Sequence, residues 1–194
     1  MFIVFEHLDG AGGSLQCELL AQKFRDQGRT VWATAEPTDS EVGKLIRKVQ
    51  TGAAPLPAEA LKYLYVADRI KHVAEINDHL ANHEVVICDR YWYSSAAYQD
   101  SDPAAIYPSA LSLNSAANFL KPDFAFFIDT PIDTCLSRIA ERSVKEIFEN
   151  RQYLEQTFKK YDQLITDGLL IRVDGSGTPE EISAAVSAHV SDLK

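Results

Sequence analysis

The sequence predicts an α/β protein whose parallel sheet is flanked by helices on both faces, and two observations indicate this class. Short apolar segments predict five strands, at residues 2–5, 31–35, 85–88, 124–128 and 169–173. Segments whose apolar residues recur about every 3.6 positions lie between most of these strands and predict helices. Strands that alternate with helices build a parallel, doubly wound sheet, which binds its ligands beyond the carboxyl ends of its strands.

Composition limits the size and the class of the protein. A chain of 194 residues with 46% hydrophobic and 24% charged residues is expected to form one globular domain over residues 1–194. The net charge of −9 argues against nucleic-acid binding. The three cysteines are widely spaced within apolar segments, which predicts reduced, buried thiols. No leader pattern or apolar run of membrane-spanning length is visible, so we expect a cytoplasmic protein with no membrane partner.

The first strand leads into a glycine-rich turn and then into a helix, the setting in which a phosphate-binding loop is expected. Glycines let the backbone wrap around an anion, and the N–H groups of the helix N-terminus then point at it. The consensus GxxxxGK[ST], laid on residues 7–14, finds Gly12 and Ser14. It meets His7 in place of the first glycine and Gly13 in place of the lysine.

The remaining elements follow from apolar periodicity and from chain-breaking residues. The periodicity predicts helices at residues 16–24, 42–51, 58–81, 110–120, 132–141 and 147–167. Residues 85–88 are apolar throughout, as expected for a parallel strand that is buried on both faces. Pro122 ends the fourth of these helices before the next strand begins. The last helix begins with Thr178 as its N-cap, Pro179 in the first helical position and Glu181 as the partner in a capping box.

Polar residues follow three of the predicted strands. The glycine-rich turn follows the first strand, Glu36 and Pro37 follow the second, and Asp89 and Arg90 follow the third. Because the carboxyl ends of parallel strands meet at one edge of the sheet, the loop, two acids and an arginine are expected to converge there. This convergence predicts a ligand-binding site at that edge.

Five segments carry a resemblance to a known family and together span nearly the whole chain. They are FEHLDGAGGS at 5–14, EPTDSEVGKLIR at 36–47, YLYVADRIKH at 63–72, VICDRYWYSSAAYQ at 86–99 and PDFAFFIDTP at 122–131. These segments resemble the thymidylate kinases, a family of P-loop nucleoside-monophosphate kinases, and the segment at 86–99 is the most specific. The resemblance implies a P-loop NTPase fold with a five-stranded parallel sheet. It also implies ATP with Mg²⁺ as the phosphoryl donor, dTMP as the acceptor and a homodimer.

The resemblance implies a set of acceptor-binding residues. Tyr65 matches an aromatic residue that stacks on thymine, and Arg69 and Arg90 match two arginines that hold the acceptor phosphate, a task that suits the guanidinium fork. The other substrate-binding residues it implies are Glu36, Pro37, Ser95, Tyr98 and Gln99. The residues alone also allow plainer roles. Tyr65 could pack in the core, Arg69 could pair with Asp68 or Glu75, and Ser95, Tyr98 and Gln99 could serve helix packing.

On the donor side the resemblance implies that the loop binds ATP. The loop residues concerned are His7, Leu8, Asp9, Gly10, Ala11, Gly12, Gly13, Ser14 and Leu15. Asp9 matches a catalytic carboxylate near the reacting phosphates, whereas Ser14 and Asp89 match the oxygens that hold magnesium. Residues 138–150 resemble the lid that closes over ATP, and Arg142 is its candidate catalytic arginine because the loop itself has none. Ordinary helix-end roles remain the alternatives for Asp9, Ser14 and the lid.

Three loop positions depart from the family pattern, namely His7, Gly13 and Leu15. The missing lysine would cost about 10²–10³-fold in rate, by analogy with the loss of one preorganised donor. If position 7 needs a positive φ, histidine there is strained. Three hypotheses compete: a dTMP kinase, a nucleotide-binding pseudokinase, and a kinase for another deoxynucleotide or deoxynucleoside. Gly13→Lys is then expected to change the rate modestly in a competent enzyme and to raise it strongly in an impaired one.

Overall fold

A computed structural model of the protein describes residues 1–98, 119–142 and 150–190. Five strands form one sheet: β1 (Phe2–His7), β2 (Val31–Ala35), β3 (Val85–Asp89), β4 (Phe124–Asp129) and β5 (Ile171–Asp174). The strand order is β2-β3-β1-β4-β5, and every neighbouring pair is parallel. The predicted five-stranded parallel sheet is therefore confirmed, and its centre is β1, the strand that leads into the glycine-rich turn.

Seven helices lie in the described part of the chain. They are α1 (Gly13–Asp26), α2 (Glu41–Gln50), α3 (Ala58–Asn82), α4 (Trp92–Tyr98), α5 (Ile132–Ala140), α6 (Arg151–Thr166) and α7 (Pro179–Val190). Within the described ranges, no helix combines the length and the apolar character that a membrane span requires. The three cysteines are free and buried, as predicted.

The helices cover both faces of the sheet because the side chains of β1 alternate between two apolar clusters. Ile3 and Phe5 pack with apolar residues of α1 and α7. Phe2 and Val4 pack on the opposite face with residues of α3, α4, α5 and α6. This sandwich buries the central strands on both sides and leaves their carboxyl ends as the accessible edge of the sheet.

Several sequence-based boundaries need correction: β1 extends to His7 and α1 spans Gly13–Asp26, beyond the predicted 2–5 and 16–24. The last strand begins at Ile171 and not at 169, because Gly168 with φ 71° ends α6 in a turn that Leu169 closes by donating to the Leu164 carbonyl. Residues 119 and 120 are not helical, although the prediction extended a helix to 120. The rest of that predicted helix, 110–118, and lid residues 143–149 lie outside the described residues.

Candidate active site

A cleft opens at the carboxyl ends of β1, β2 and β3, where the sequence predicts that polar residues converge. Six of the predicted substrate-binding residues line it: Glu36, Pro37, Tyr65, Arg69, Arg90 and Tyr98. Asp9 of the glycine-rich turn lies in the same wall. Gln99 is outside the described residues. The fold thus brings together residues that are far apart in the chain, as the hydrogen bond from the Asp9 backbone N–H to Tyr98 Oη, 89 positions away, illustrates.

Arg69 and Glu36 form a buried ion pair at the floor of the cleft. The Arg69 side chain is 1% exposed, and its Nε and Nη2 donate to Glu36 Oε2 at 2.7 and 2.6 Å. His72 Nδ1 lies 3.0 Å from Glu36 Oε1, and its Nε2 lies 2.8 Å from Thr34 Oγ1. Arg69 is therefore not a solvated helix residue, and neither Asp68 nor Glu75 supplies this buried carboxylate. This hydrogen-bond network fixes the Arg69 guanidinium at the floor of the cleft.

Tyr65 lies one turn before Arg69 on α3 and is only partly buried. Its ring lines the cleft, and its hydroxyl accepts a hydrogen bond from Gln50 Nε2 on α2 at 3.0 Å. The ring also packs against a small apolar cluster that joins α2 to α3. The two roles that the sequence left open for Tyr65, core packing and lining of the pocket, are thus combined in one side chain.

Arg90 connects the cleft to the glycine-rich loop. Its Nη2 donates to Asp9 Oδ1 at 2.6 Å, and its Nη1 donates to the His7 carbonyl at 3.0 Å. Its guanidinium carbon lies 5.2 Å from the centre of the Tyr98 ring, a cation–π arrangement. Arg90 has φ 67°, and among the described residues it is the one non-glycine with a positive φ. Such backbone strain at a ligand-lining residue is typical of functional sites.

The helix after Arg90 presents Ser94 and Tyr98 to the cleft but not Ser95. Residues 94 and 98 are four positions apart and share one helix face, whereas position 95 is rotated by about 100°. The Ser95 side chain is accordingly buried, and its Oγ has no partner among the described residues. Burial, together with the charge of Asp9, raises the pKa of Tyr98, so the phenol stays neutral.

Sequence reasoning missed several residues that line the cleft. Ser94 receives a hydrogen bond from Arg90 Nη1 at 3.3 Å and donates to the buried carboxylate of Glu6. Arg47 of α2 donates to the carbonyls of Pro37 and Thr38 and closes one side of the cleft. Tyr153 of α6 donates its hydroxyl hydrogen to the Tyr98 carbonyl on the other side. Ser94 lies in the same sequence motif as Ser95 and four positions before Tyr98, so helix periodicity could have placed it on the same helix face as Tyr98.

The glycine-rich turn has the backbone of an anion-binding loop. Gly10 and Gly12 have φ of 80° and 91°, and a Cβ on Gly10 would lie 2.5 Å from the Cys135 carbonyl oxygen. Gly12 is the N-cap of α1 and offers no side-chain cap, so the first N–H groups of the helix remain available to an anion. Leu8 and Ala11 are buried and can meet a ligand only through the backbone.

Thr130, which directly follows β4, and Arg138 of α5 hold this turn through hydrogen bonds to its carbonyls. Arg138 Nη1 donates to the carbonyls of Gly10 and Ala11 at 3.2 and 3.3 Å, and Thr130 Oγ1 donates to Ala11 O at 2.9 Å. Among the described lid residues Arg138 is thus the cation that touches the loop. Arg142 lies just beyond the end of α5, exposed, with its N–H bonded to the Ile139 carbonyl. The Leu15 side chain is 43% exposed at the start of α1.

His7 is not strained, contrary to the possibility raised by the consensus. It is the last residue of β1 and has no positive φ. Its Nε2 donates to Asp89 Oδ1 at 2.8 Å, across the ends of two neighbouring strands. Burial would raise the pKa of Asp89, but the charge and hydrogen bond of His7, with help from Arg90 and Ser14, hold that pKa at about 2.

Asp89→Asn is expected to lower the free energy of unfolding by about 2 kcal/mol at pH 7, because a carboxyl with a folded pKa of about 2 and an unfolded pKa of 3.8 stabilises the fold when ionised. That stabilisation is present above the unfolded pKa and is lost as the pH falls toward 2. Urea unfolding of wild type and variant at pH 7, 4 and 2.5 measures the difference, which is expected to shrink by about 1.5 kcal/mol over this range. A deficit that is as large at pH 2.5 as at pH 7 would contradict the assignment.

Comparisons with known proteins agree with this arrangement. Residues 5–186 match the family model described as thymidylate kinase. The chain is 38% identical over 201 residues to a probable thymidylate kinase of Methanococcus aeolicus, covering 100% of this chain and 97% of the relative. It is 39% identical over 195 residues to a probable thymidylate kinase of Methanocaldococcus jannaschii, again covering 100% and 97%. A putative thymidylate kinase of Treponema pallidum is 36% identical over 167 residues, 84% of this chain and 78% of that protein. These matches, together with a glycine-rich loop and two arginines at one edge of a parallel sheet, show that the chain belongs to the thymidylate kinase family of phosphotransferases.

Proposed function

We propose that the protein transfers the terminal phosphoryl group of ATP to dTMP and so produces dTDP. The observation that carries this proposal is the position of Arg90, which bonds Asp9 of the glycine-rich loop and lines the cleft beside Tyr98. One guanidinium thus lies at the junction of a loop suited to donor phosphates and a cleft suited to a nucleotide. The relatives named thymidylate kinase support dTMP as that nucleotide.

The donor phosphates would lie against the N-terminus of α1, because Gly10 and Gly12 open the backbone there and the helix has no side-chain cap. Ser14 and Asp89 are the residues that fit magnesium, since a hydroxyl and a carboxylate of low pKa line one pocket beside this loop. Magnesium at such sites uses one or two protein oxygens together with phosphates and water, and it would neutralise charge on the transferring group.

The acceptor would lie in the cleft with its phosphate toward Arg90 and Arg69 and its base toward Tyr65. The Glu36 carboxylate holds Arg69 and the Asp9 carboxylate holds Arg90, so both guanidinium groups are oriented before the ligand arrives. A Tyr98 ring against the sugar would exclude a 2′-hydroxyl, which favours a deoxyribose. Transfer then depends on alignment of two phosphates and on the cations around them, not on a covalent enzyme intermediate.

A coupled ADP-release assay with dTMP, ATP and Mg²⁺, paired with calorimetric binding of dTMP, tests this function. Turnover above a control without enzyme, and slower turnover with the ribonucleotide, are expected. Binding of dTMP with no turnover would instead assign the protein as a nucleotide-binding pseudokinase. Turnover confined to another deoxynucleotide would move the assignment to that substrate.

Tyr65→Ala is expected to raise the Kd for dTMP about tenfold or more, because stacking of an aromatic ring on a base is worth about 1–3 kcal/mol. Tyr65→Phe keeps the ring and removes only the hydrogen bond to Gln50, so its Kd is expected to stay within about threefold of wild type. Calorimetry with dTMP measures both variants. Equal affinities of the two variants would exclude a stacking role for the ring.

The homodimer remains a prediction from the family resemblance, and the cytoplasmic location remains a prediction from the sequence pattern. Sedimentation equilibrium of the purified protein distinguishes a dimer of the 21.6 kDa chain from a monomer. Fractionation of cells that express the protein checks the location.

A further inference from the structure

Gly13 is a glycine because of space and not because of its backbone. It begins α1 and does not share the positive φ of Gly10 and Gly12. A Cβ atom built on Gly13 would lie 1.9 Å from His7 Cδ2 and 2.6 Å from His7 Nε2, whereas real Cβ atoms essentially never come within 3.0 Å. The imidazole of His7 therefore occupies the space into which any side chain at position 13 would project.

The imidazole is also held in this place. Its side chain is 8% exposed, and Nε2 donates to Asp89 Oδ1 at 2.8 Å. Nδ1 lies 2.9 Å from the Leu8 carbonyl oxygen and 3.3 Å from Arg90 Nη2. If the ring moved aside, Asp89 would lose a hydrogen-bond donor while remaining largely buried, which is unfavourable.

We propose that His7 is a positioning residue of the phosphate loop, and that His7 and Gly13 together replace the glycine and the lysine of the consensus. The imidazole reaches the loop from the end of β1 and fixes Asp89, while position 13 stays empty to admit it. The two departures from the consensus are then one coupled exchange and not two separate losses. The inference rests on the proposed kinase function for its rate measurements, but not for its binding and unfolding measurements.

This exchange reverses the expectation for Gly13→Lys that followed from the consensus. A lysine there meets the ring of His7 at its first side-chain atom, so the clash cannot be relieved by the flexible end of the lysine. The single variant is therefore expected to damage the loop in a competent enzyme and in an impaired one. A lysine can enter only when His7 is replaced by glycine, which restores the consensus pair.

A four-member cycle tests the coupling: wild type, His7→Gly, Gly13→Lys and the double variant. Gly13→Lys is expected to lower kcat/KM for ATP and the affinity for ADP about tenfold or more, and the double variant to recover about tenfold relative to Gly13→Lys. Gln22→Lys, on the exposed face of the same helix, controls for added charge on α1 and is expected to match wild type. Thermal unfolding of every member shows which variants are folded.

A second pair of variants separates the hydrogen bond to Asp89 from simple filling of space. His7→Gln keeps an N–H donor at a similar distance from the backbone, whereas His7→Phe keeps the ring volume without a donor. His7→Gln is expected to stay within about fivefold of wild type in kcat/KM for ATP, and His7→Phe to fall about tenfold below His7→Gln. The KM for dTMP is expected to change little in either variant. A general folding defect would instead change the kinetics with both substrates.

Three outcomes would overturn the proposal. The first is a Gly13→Lys variant that binds ADP and unfolds like wild type. The second is a double variant whose losses are the sum of the single ones. The third is a His7→Phe variant equal to His7→Gln, which would reduce His7 to a space-filling residue. If no member of the cycle turns over dTMP, the kinase function fails, yet ADP binding and unfolding still show whether positions 7 and 13 are coupled.

Discussion

Arg90→Ala is expected to lower kcat/KM for dTMP by about 10³-fold or more, the upper end of the effect of removing one preorganised charged donor. Arg90 is the residue that joins the loop, through Asp9 at 2.6 Å, to the cleft, through the Tyr98 ring. Removing it takes away a cation and also leaves the Asp9 carboxylate without its ion-pair partner. Steady-state kinetics with dTMP and ATP measure the loss.

The backbone of Arg90 offers a matched control for misfolding. Arg90→Gly removes the guanidinium as Arg90→Ala does, so the two variants should be equally inactive. Because φ is 67° at this position, glycine also relieves backbone strain, and Arg90→Gly should be about 1 kcal/mol more stable than Arg90→Ala. Arg29→Ala, which breaks an exposed pair with Glu84, is expected to keep wild-type kinetics. An Arg90→Gly variant with near-wild-type kcat/KM would remove Arg90 from the site.

Glu36→Gln is expected to lower the free energy of unfolding by about 3–5 kcal/mol, because it removes the carboxylate charge that pairs with the buried Arg69 guanidinium. Both carboxylate oxygens of Glu36 are used, one by Arg69 and one by His72, and the side chains of the Arg69–Glu36 pair are 1% and 4% exposed. Water therefore cannot replace the lost charge. Urea unfolding monitored by circular dichroism measures the change.

A companion variant separates the charge effect from loss of shape. Glu36→Gln combined with Arg69→Met removes both charges, so it should be more stable than Glu36→Gln alone, although it should not bind dTMP. Glu84→Gln, at a pair whose acid is 59% exposed, is expected to leave the unfolding midpoint almost unchanged. If Glu36→Gln unfolds at the wild-type urea concentration, the pair is not a structural element of the site.

The amino-acid sequence is sufficient to predict the secondary-structure elements and the residues that could carry the chemistry. Apolar runs such as 85–88 and the glycines after β1 are local patterns, and the parallel alternation follows from them. The placement of Asp89 and Arg90 after a buried strand was enough to predict one common edge for them and for the loop. Predicted boundaries were wrong where a turn sets the end of an element, as at Gly168. Such turns depend on the backbone hydrogen bonds that close them.

The tertiary structure alone decided which of these residues meet and which way they face. It selected Ser94 over its neighbour, because the rotation of α4 depends on how that helix packs on the sheet. It brought Arg47 and Tyr153 to the cleft, although the sequence analysis assigned neither residue to the site. It also showed that the ring of His7 fills the space next to Gly13. The departures from the consensus at positions 7 and 13 are therefore coupled, because side chains at both positions would occupy the same volume. Distances between side chains on different elements follow from packing, and no local pattern in the chain encodes them.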